Sequence, residues 1–200
     1  MDLPRQEEMV KPSKAKLSIV LPTYNESQNI VKMLDSIAET LSPYTTAEII
    51  VVDDNSPDGT AEIASLHAKN ISNANNNNSK LHVQIIRREG KLGLSSAIVA
   101  GVQSATGDLL VVMDGDFSHP PQLIPSIIEA LQDSDCDIVV ASRYIKGGSI
   151  IGWPFKRRLM SKGATKIAQY GLGIEVKDPV SGFFAFRRQI IDGVKFDAIG

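Results

Sequence analysis

The triplet Asp114-Gly115-Asp116 sets two carboxylates two positions apart, directly after the apolar run Leu109-Leu110-Val111-Val112-Met113. A run of that length and character reads as a buried strand, which puts both acids at the mouth of a sheet. Unpaired charge is costly to bury, and a core has no use for it there. Acids so placed hold a cation, and a hard divalent ion gripped by few carboxylates completes its shell with water and a substrate's phosphates. The competing reading is a strand-to-loop turn that happens to be acidic. The triplet alone does not decide between these two.

The elements that must position these acids alternate along the chain. The strand candidates are Leu17–Leu21, Glu48–Asp53, Leu81–Arg87, Leu109–Met113 and Asp137–Ser142, short and nearly continuous in hydrophobicity, as strands buried on both faces are. Helical patterns lie between them, over about Ser27–Thr40, Thr60–Lys69, Ser95–Ala105 and Pro121–Gln132. This alternation predicts an α/β fold, a mainly parallel sheet flanked by helices and joined by right-handed crossovers. Such sheets bind ligands beyond the carboxyl ends of their strands. Those ends carry Pro22-Thr23-Tyr24-Asn25-Glu26, Asp53-Asp54-Asn55-Ser56, Asp114-Gly115-Asp116 and Arg143-Tyr144, so polar groups from four strands converge on one edge. Two local alternatives stay open: Asp54 could cap the next helix, and Glu26 could cap the helix near Ser27.

Composition narrows the classes. With 200 residues and a net charge of −2, the chain fits one domain and has no global basic field to attract nucleic acid. The single cysteine, Cys136, precludes an intramolecular disulfide and, preceding an apolar run, reads as a small buried hydrophobe. No run of 18 apolar residues exists, so nothing in the sequence reads as a membrane span. Residues 1–16 are polar and read as a flexible tail, with residues 17–200 forming the domain. Ser72–Ser79, with five asparagines, reads as a surface loop. A dinucleotide-binding G-x-G-x-x-G, a Walker A loop and a G-x-S-x-G elbow are all missing. His67, His82 and His119 lie on different elements without zinc spacing.

The order and spacing of several segments resemble family 2 glycosyltransferases of the GT-A fold. They are Pro22-Thr23-Tyr24-Asn25-Glu26, Val52-Asp53-Asp54-Asn55-Ser56-Pro57-Asp58-Gly59-Thr60, Gly90-Lys91-Leu92-Gly93-Leu94 and Asp114-Gly115-Asp116. Ser118-His119-Pro120-Pro121, Ser142-Arg143-Tyr144, Arg157-Arg158 with Ser161-Lys162-Gly163-Ala164, and Asp178-Pro179-Val180-Ser181-Gly182-Phe183 resemble the subgroup of dolichyl-phosphate mannose synthases. The likeness runs from about Leu17 to the last residue. It implies a GT-A Rossmann-like nucleotide-diphospho-sugar transferase that moves mannose from GDP-mannose to dolichyl (polyprenyl) phosphate with Mg²⁺ or Mn²⁺, at the cytoplasmic face of a membrane.

The resemblance also implies roles. Pro22, Tyr24 and Glu26 match the first donor-binding segment, and Val52 and Asp54 the part that reads base and ribose. Asp114, Gly115 and Asp116 match the metal and diphosphate site, with Asp116 and Arg143 closest to the reacting phosphates. Arg157, Arg158, Ser161 and Lys162 match the region that receives the lipid phosphate. Ser118 stands where some relatives carry a further metal ligand, Gly115 where some carry alanine, and Ser95 where glycine is usual. The family's catalytic domain continues past the point matching Gly200, where further donor contacts and any membrane anchor would lie. Pro154–Tyr170 reads as an amphipathic helix with a basic stripe, Arg158, Lys162 and Lys166, suited to an anionic membrane surface or to plain solvent exposure. The alternatives are the same chemistry with a UDP-sugar and, in another class, a non-catalytic nucleotide-sugar or lipid-phosphate binding module.

Overall fold

The computed structural model describes residues 15–44, 46–74, 80–142, 178 and 181–194. Strand β1 (Leu17–Thr23) is followed by helix α1 (Ile30–Leu41), β2 (Thr46–Asp53), α2 (Thr60–Ala74), β3 (Lys80–Arg87), α3 (Leu94–Ser104) and β4 (Leu109–Val112). A 3-10 turn at Pro121–Leu123 leads into α4 (Ile124–Gln132), then β5 (Ile138–Val140) and, after the intervening segment, β6 (Phe184–Arg187). The sheet runs in the order β3-β2-β1-β4-β6-β5. The first four of these strands are parallel, and β6 is antiparallel to both β4 and β5.

The strands form as the alternation predicts because both of their faces are apolar. Leu17, Ile19, Leu21, Ile49, Val51 and Val111 pack under α1, α2 and α4, while Val20, Ile50, Val52, Leu110 and Val112 face α3. Period-two alternation thus serves two cores rather than one core and solvent. Helix α3 lies so close to β1 that a Cβ on Gly101 would stand 2.4 Å from Val20 Cγ1. That close approach needs a glycine there.

The amino edge of the sheet is fastened by a buried acid. Glu48 accepts hydrogen bonds from Ser18 Oγ at 2.6 Å, Thr106 N at 2.7 Å and Thr106 Oγ1 at 2.8 Å. Burial raises its pKa, but these bonds and the Lys16 charge outweigh that and hold the carboxyl below its ordinary range. Lys16 is tied to Asp108, and Arg188 donates to the carbonyls of Gly107 and Ala105 at the end of α3, where a cation also suits the helix dipole.

Chain order matters for the site. From β1 the chain moves through β2 to β3 on one side, then crosses back to lay β4 on the other side of β1. The crevice beyond the carboxyl ends of β1 and β4 is therefore the switch point at which open α/β sheets bind ligands.

Three expectations need adjustment. β6 was not anticipated as a strand; its four residues, Phe184-Ala185-Phe186-Arg187, are too few to signal one, and only their pairing with β4 and β5 defines it. Cys136 is exposed, not buried, because it lies in the polar Asp133–Asp137 turn before β5 begins. Helix α2 continues through Ala74, into what the composition marked as loop. Arg143, Arg157, Arg158, Ser161, Lys162 and the whole of Pro154–Tyr170 lie outside the described residues.

Candidate active site

The loop after β1 hangs on the loop after β2. Buried Asp53 accepts Ser56 N at 2.8 Å and Ser56 Oγ at 2.6 Å, and Ser56 Oγ in turn accepts Asn25 N at 3.0 Å. Asp58 accepts Ser27 N at 3.0 Å, Thr60 N at 3.1 Å and Thr60 Oγ1 at 2.6 Å. Thr60 Oγ1 accepts Glu26 N at 2.9 Å. What little burial Asp58 has raises its pKa; the bonds from Thr60 and Ser27 outweigh it and hold the carboxyl at about 2. The Asp-Asp-Asn-Ser-Pro-Asp-Gly-Thr run therefore serves as a rack for the backbone of Tyr24, Asn25 and Glu26.

Asp54 does not cap α2. Its Oδ1 accepts Arg88 Nη1 at 2.8 Å and Leu92 N at 3.1 Å, and its Oδ2 accepts Gly93 N at 2.8 Å. A carboxylate has about four acceptor positions, so this site leaves one on Oδ2. Glu26 accepts Asn29 Nδ2 at 2.7 Å through its side chain, and its carbonyl accepts the amides of Asn29 and Ile30. It thus shapes the entry to α1 through its carbonyl. Across the loops, Lys91 Nζ stands 3.8 Å from the centre of the Tyr24 ring, a cation–π pair at the rim.

The acidic triplet closes the other side. Gly115 lies against the β1 loop: a Cβ there would stand 3.1 Å from Thr23 Cγ2 and 3.8 Å from Glu26 Cγ. Exposed Asp116 accepts Ser118 N at 2.9 Å on Oδ1. The Asp114 carboxylate faces Gly182, where a Cβ would fall 2.0 Å from Oδ2. Buried His119 packs its ring on Phe183, centroids 5.3 Å apart, which fastens the triplet's loop to the same segment.

Backbone strain marks the same edge. Among the described residues, the non-glycine residues with left-handed backbone are Asn25 (φ 60°), Asn55 (φ 58°) and Phe117 (φ 58°), which follow β1, β2 and β4. Asparagine tolerates this region; for a bulky residue such as Phe117 it costs about 1–3 kcal/mol, and strain of that kind gathers at binding sites.

The expected site residues thus divide. Tyr24, Glu26, Asp54, Asp114, Gly115, Asp116 and Ser118 come together at the β1–β4 crevice and its rim. Pro22 is buried beneath it, its carbonyl beside Gly115. Val52 is wholly buried with its side chain under α3, so that position has only backbone to offer a ligand.

The sequence profile of glycosyl transferase family 2 matches residues 18–194. The chain belongs to that family. It is 44% identical over 187 residues to a dolichol-phosphate mannosyltransferase of Pyrococcus furiosus, covering 92% of this chain and 50% of the relative. It is 31% identical to a polyprenol monophosphomannose synthase of Mycolicibacterium smegmatis, over 95% of this chain and 68% of the relative. The chain thus spans half the length of the first relative and about two-thirds of the second. Among solved structures, it resembles the mannosyltransferase PcManGT of Pyrobaculum calidifontis in complex with GDP-Man and Mn²⁺, with a TM-score of 0.62 at 20% identity, covering 90% of this chain and 47% of that one. It also resembles a glucosyl-3-phosphoglycerate synthase of Mycobacterium tuberculosis in complex with Mn²⁺, UDP and phosphoglyceric acid, with a TM-score of 0.65 at 22% identity, covering 92% of this chain and 59% of that one. These likenesses establish the GT-A fold.

Three residues of this family 2 glycosyl transferase shape the crevice without having been assigned a role from sequence. Arg88 holds Asp54, Lys91 covers Tyr24, and Gly182 makes room for Asp114. The first two were within reach: a charged pair closes β3, and Lys91 lies in the glycine-bounded loop that follows. Gly182 is remote in sequence from the acid it accommodates, and only folding brings the two together.

Proposed function

We propose that this chain is the nucleotide-sugar-binding part of a metal-dependent, inverting mannosyltransferase. It would move mannose from GDP-mannose to dolichyl or another polyprenyl phosphate, giving a β-linked lipid phosphate mannose. One observation carries the reading: in a family 2 chain with these mannosyltransferase relatives, the Asp114-Gly115-Asp116 turn lies at the switch point, with Gly115 against Thr23 and Glu26 of the β1 loop.

The donor set suits a hard divalent ion, Mg²⁺ or Mn²⁺: carboxylate oxygens on a short turn, with the Asp114 carboxylate itself accommodated by the missing side chain of Gly182. Among the described residues, no group of three or more His, Cys, Asp or Glu comes together to hold a metal. The remaining ligands would then come from Ser118, water and the donor's own phosphates. A cation held there would neutralise the charge that builds on the departing diphosphate. Asp54 would accept a donor N–H or O–H on its remaining position, and the β1 loop would bound the nucleotide. Arg143 would add fixed charge beside the reacting phosphates, and Arg157, Arg158, Ser161 and Lys162 would receive the acceptor phosphate; these roles rest on the resemblance. The acceptor is a phosphate whose second pKa is about 6, so its oxygen is already anionic near neutrality and no general base is needed. Since a polyprenyl phosphate is a membrane lipid, we place the reaction at a membrane surface. No helix among the described residues is long and apolar enough to cross a membrane.

The test is to offer full-length protein labelled GDP-mannose, UDP-glucose and a short polyprenyl phosphate, with and without Mn²⁺. Mn²⁺-dependent transfer from GDP-mannose is the expected result. Transfer from UDP-glucose alone would replace the donor, and binding without turnover would leave a non-catalytic module.

A further inference from the structure

Arg88 is a largely buried cation that the proposed chemistry does not use. Its side chain is 10% exposed and that of its partner Asp54 is 7% exposed. Burying an ion pair costs several kcal/mol per ion, and a well-packed apolar pair often serves stability as well or better. The orientation of the fork is more informative than the attraction. Arg88 Nη1 donates to Asp54 Oδ1 at 2.8 Å and to the Gly93 carbonyl at 3.2 Å, while Nη2 donates to Ser96 Oγ at 2.8 Å. Ser96 Oγ bonds the Leu92 carbonyl at 2.7 Å, and Asp54 takes the Leu92 and Gly93 amides. Both peptide groups at the end of the Gly90–Gly93 loop are therefore held by this one pair and a serine.

Nothing apolar does the same work. Leu92 is 52% exposed, and a Cβ on Gly90 would meet nothing within 4 Å. Polar contacts thus fix this loop, and the loop carries Lys91 across β2 to the Tyr24 ring. Arg88 itself is anchored at the end of β3, its amide donating to the Asp53 carbonyl at 2.9 Å. The chain of contacts runs from a rigid strand through Asp54 and the loop to the aromatic face at the crevice rim.

We propose that Arg88 is a positioning residue for the nucleoside diphosphate of the donor. Acting through Asp54, it clamps the Gly90–Gly93 loop so that Lys91 and Tyr24 form one wall of the nucleotide site. This rests on the functional reading above. A lysine at 88 keeps the charge but not the planar fork, so Arg88→Lys separates geometry from charge without stranding Asp54. The double variant Arg88→Met with Asp54→Asn removes both charges and guards against a failure of the first to fold.

The experiment follows the exchange of the Leu92 and Gly93 amides, the Kd for GDP with Mn²⁺, and the KM and kcat for GDP-mannose, in the full-length chain. In Arg88→Lys both amides exchange faster. The Kd and KM rise by roughly tenfold to a hundredfold, the range seen when the supporting partner of a liganding group is lost, while kcat stays near the parent value. Adding Lys91→Ala to Arg88→Lys then costs much less than Lys91→Ala alone, as expected of residues acting in one unit. Unchanged exchange in both variants overturns the clamp. A loosened loop with unchanged GDP affinity, or fully additive losses, overturns the positioning role. Parent protein that binds neither GDP nor UDP overturns the functional reading and the donor role with it, and the exchange measurement then decides the clamp alone.

Discussion

Replacing Gly182 with alanine adds one methyl group beside the Asp114 carboxylate. Its carbon would stand 2.0 Å from Oδ2, 2.4 Å from Cγ and 2.6 Å from Oδ1. Non-bonded carbon contacts settle near 3.5 Å, so about 1 Å or more must be opened between the new carbon and Cγ. Gly182 is not among the glycines with left-handed backbone, so alanine fits its conformation and the contact is the main effect. The segment is poorly placed to yield. Ser181 Oγ donates to the Ala141 carbonyl at 2.7 Å, the Phe183 carbonyl accepts Ala141 N at 2.9 Å, and the Phe183 side chain is wholly buried. The carboxylate must therefore turn away from where it stands. Overpacking of this kind costs about 1–3 kcal/mol of stability, and a misplacement of about 1 Å at a reacting centre can cost on the order of 100-fold in rate. The assay is the initial rate of mannosyl transfer from GDP-mannose across a Mn²⁺ titration, beside a thermal melt. We expect a folded variant that needs more Mn²⁺ and turns over roughly 100-fold more slowly. A folded Gly182→Ala protein with the parent's rate and Mn²⁺ response would refute the assignment of Asp114 to the cation.

Three further outcomes follow from the same geometry. Asp116→Asn should leave the melting temperature nearly unchanged, since the residue is exposed, yet lower kcat by the factor that about 3 to 4 kcal/mol of lost electrostatic stabilisation implies; an unchanged kcat counts against its role. Gly101→Ala should destabilise the fold by about 1–3 kcal/mol in urea melts, because its methyl meets Val20 Cγ1 at 2.4 Å, and should leave KM for the folded fraction alone. The Glu48 carboxyl is held below its ordinary value of 4.5, so its contribution is full above that pH and is lost as pH falls through the lower, folded value. Melts at a series of pH values should show Glu48→Gln less stable than the parent at pH 7, with the difference shrinking as pH falls below about 4.5; a constant difference down to pH 2 would show that ionisation of Glu48 does not matter.

Much of this molecule is legible in one dimension. Ile- and Val-rich runs such as Leu17–Leu21 and Glu48–Asp53 report strands because a side chain's face depends only on its neighbours one and two places away. Asp114-Gly115-Asp116 stands out because two acids directly after an apolar run are unusual in a core, though the triplet alone does not separate a ligand site from an acidic turn. Helix α1 starts three residues later than its pattern suggested, at Ile30, because the Glu26 carbonyl takes the Asn29 and Ile30 amides and makes a turn first.

The long-range pairings were settled only in three dimensions. The order β3-β2-β1-β4-β6-β5 puts the β1 loop beside the acidic triplet, and no local signal specifies that adjacency. A helix cap at Asp54 was the alternative open from sequence; its choice of Arg88 and the Leu92 and Gly93 amides depends on β2 lying in register against β3. Gly182 matters because β6 runs antiparallel beside β4 and carries it against Asp114. Periodicity records which face a residue prefers. Which distant residue meets it there depends on how the strands of one sheet and the helices on its two faces close around shared cores, a property of the packed chain rather than of any stretch within it.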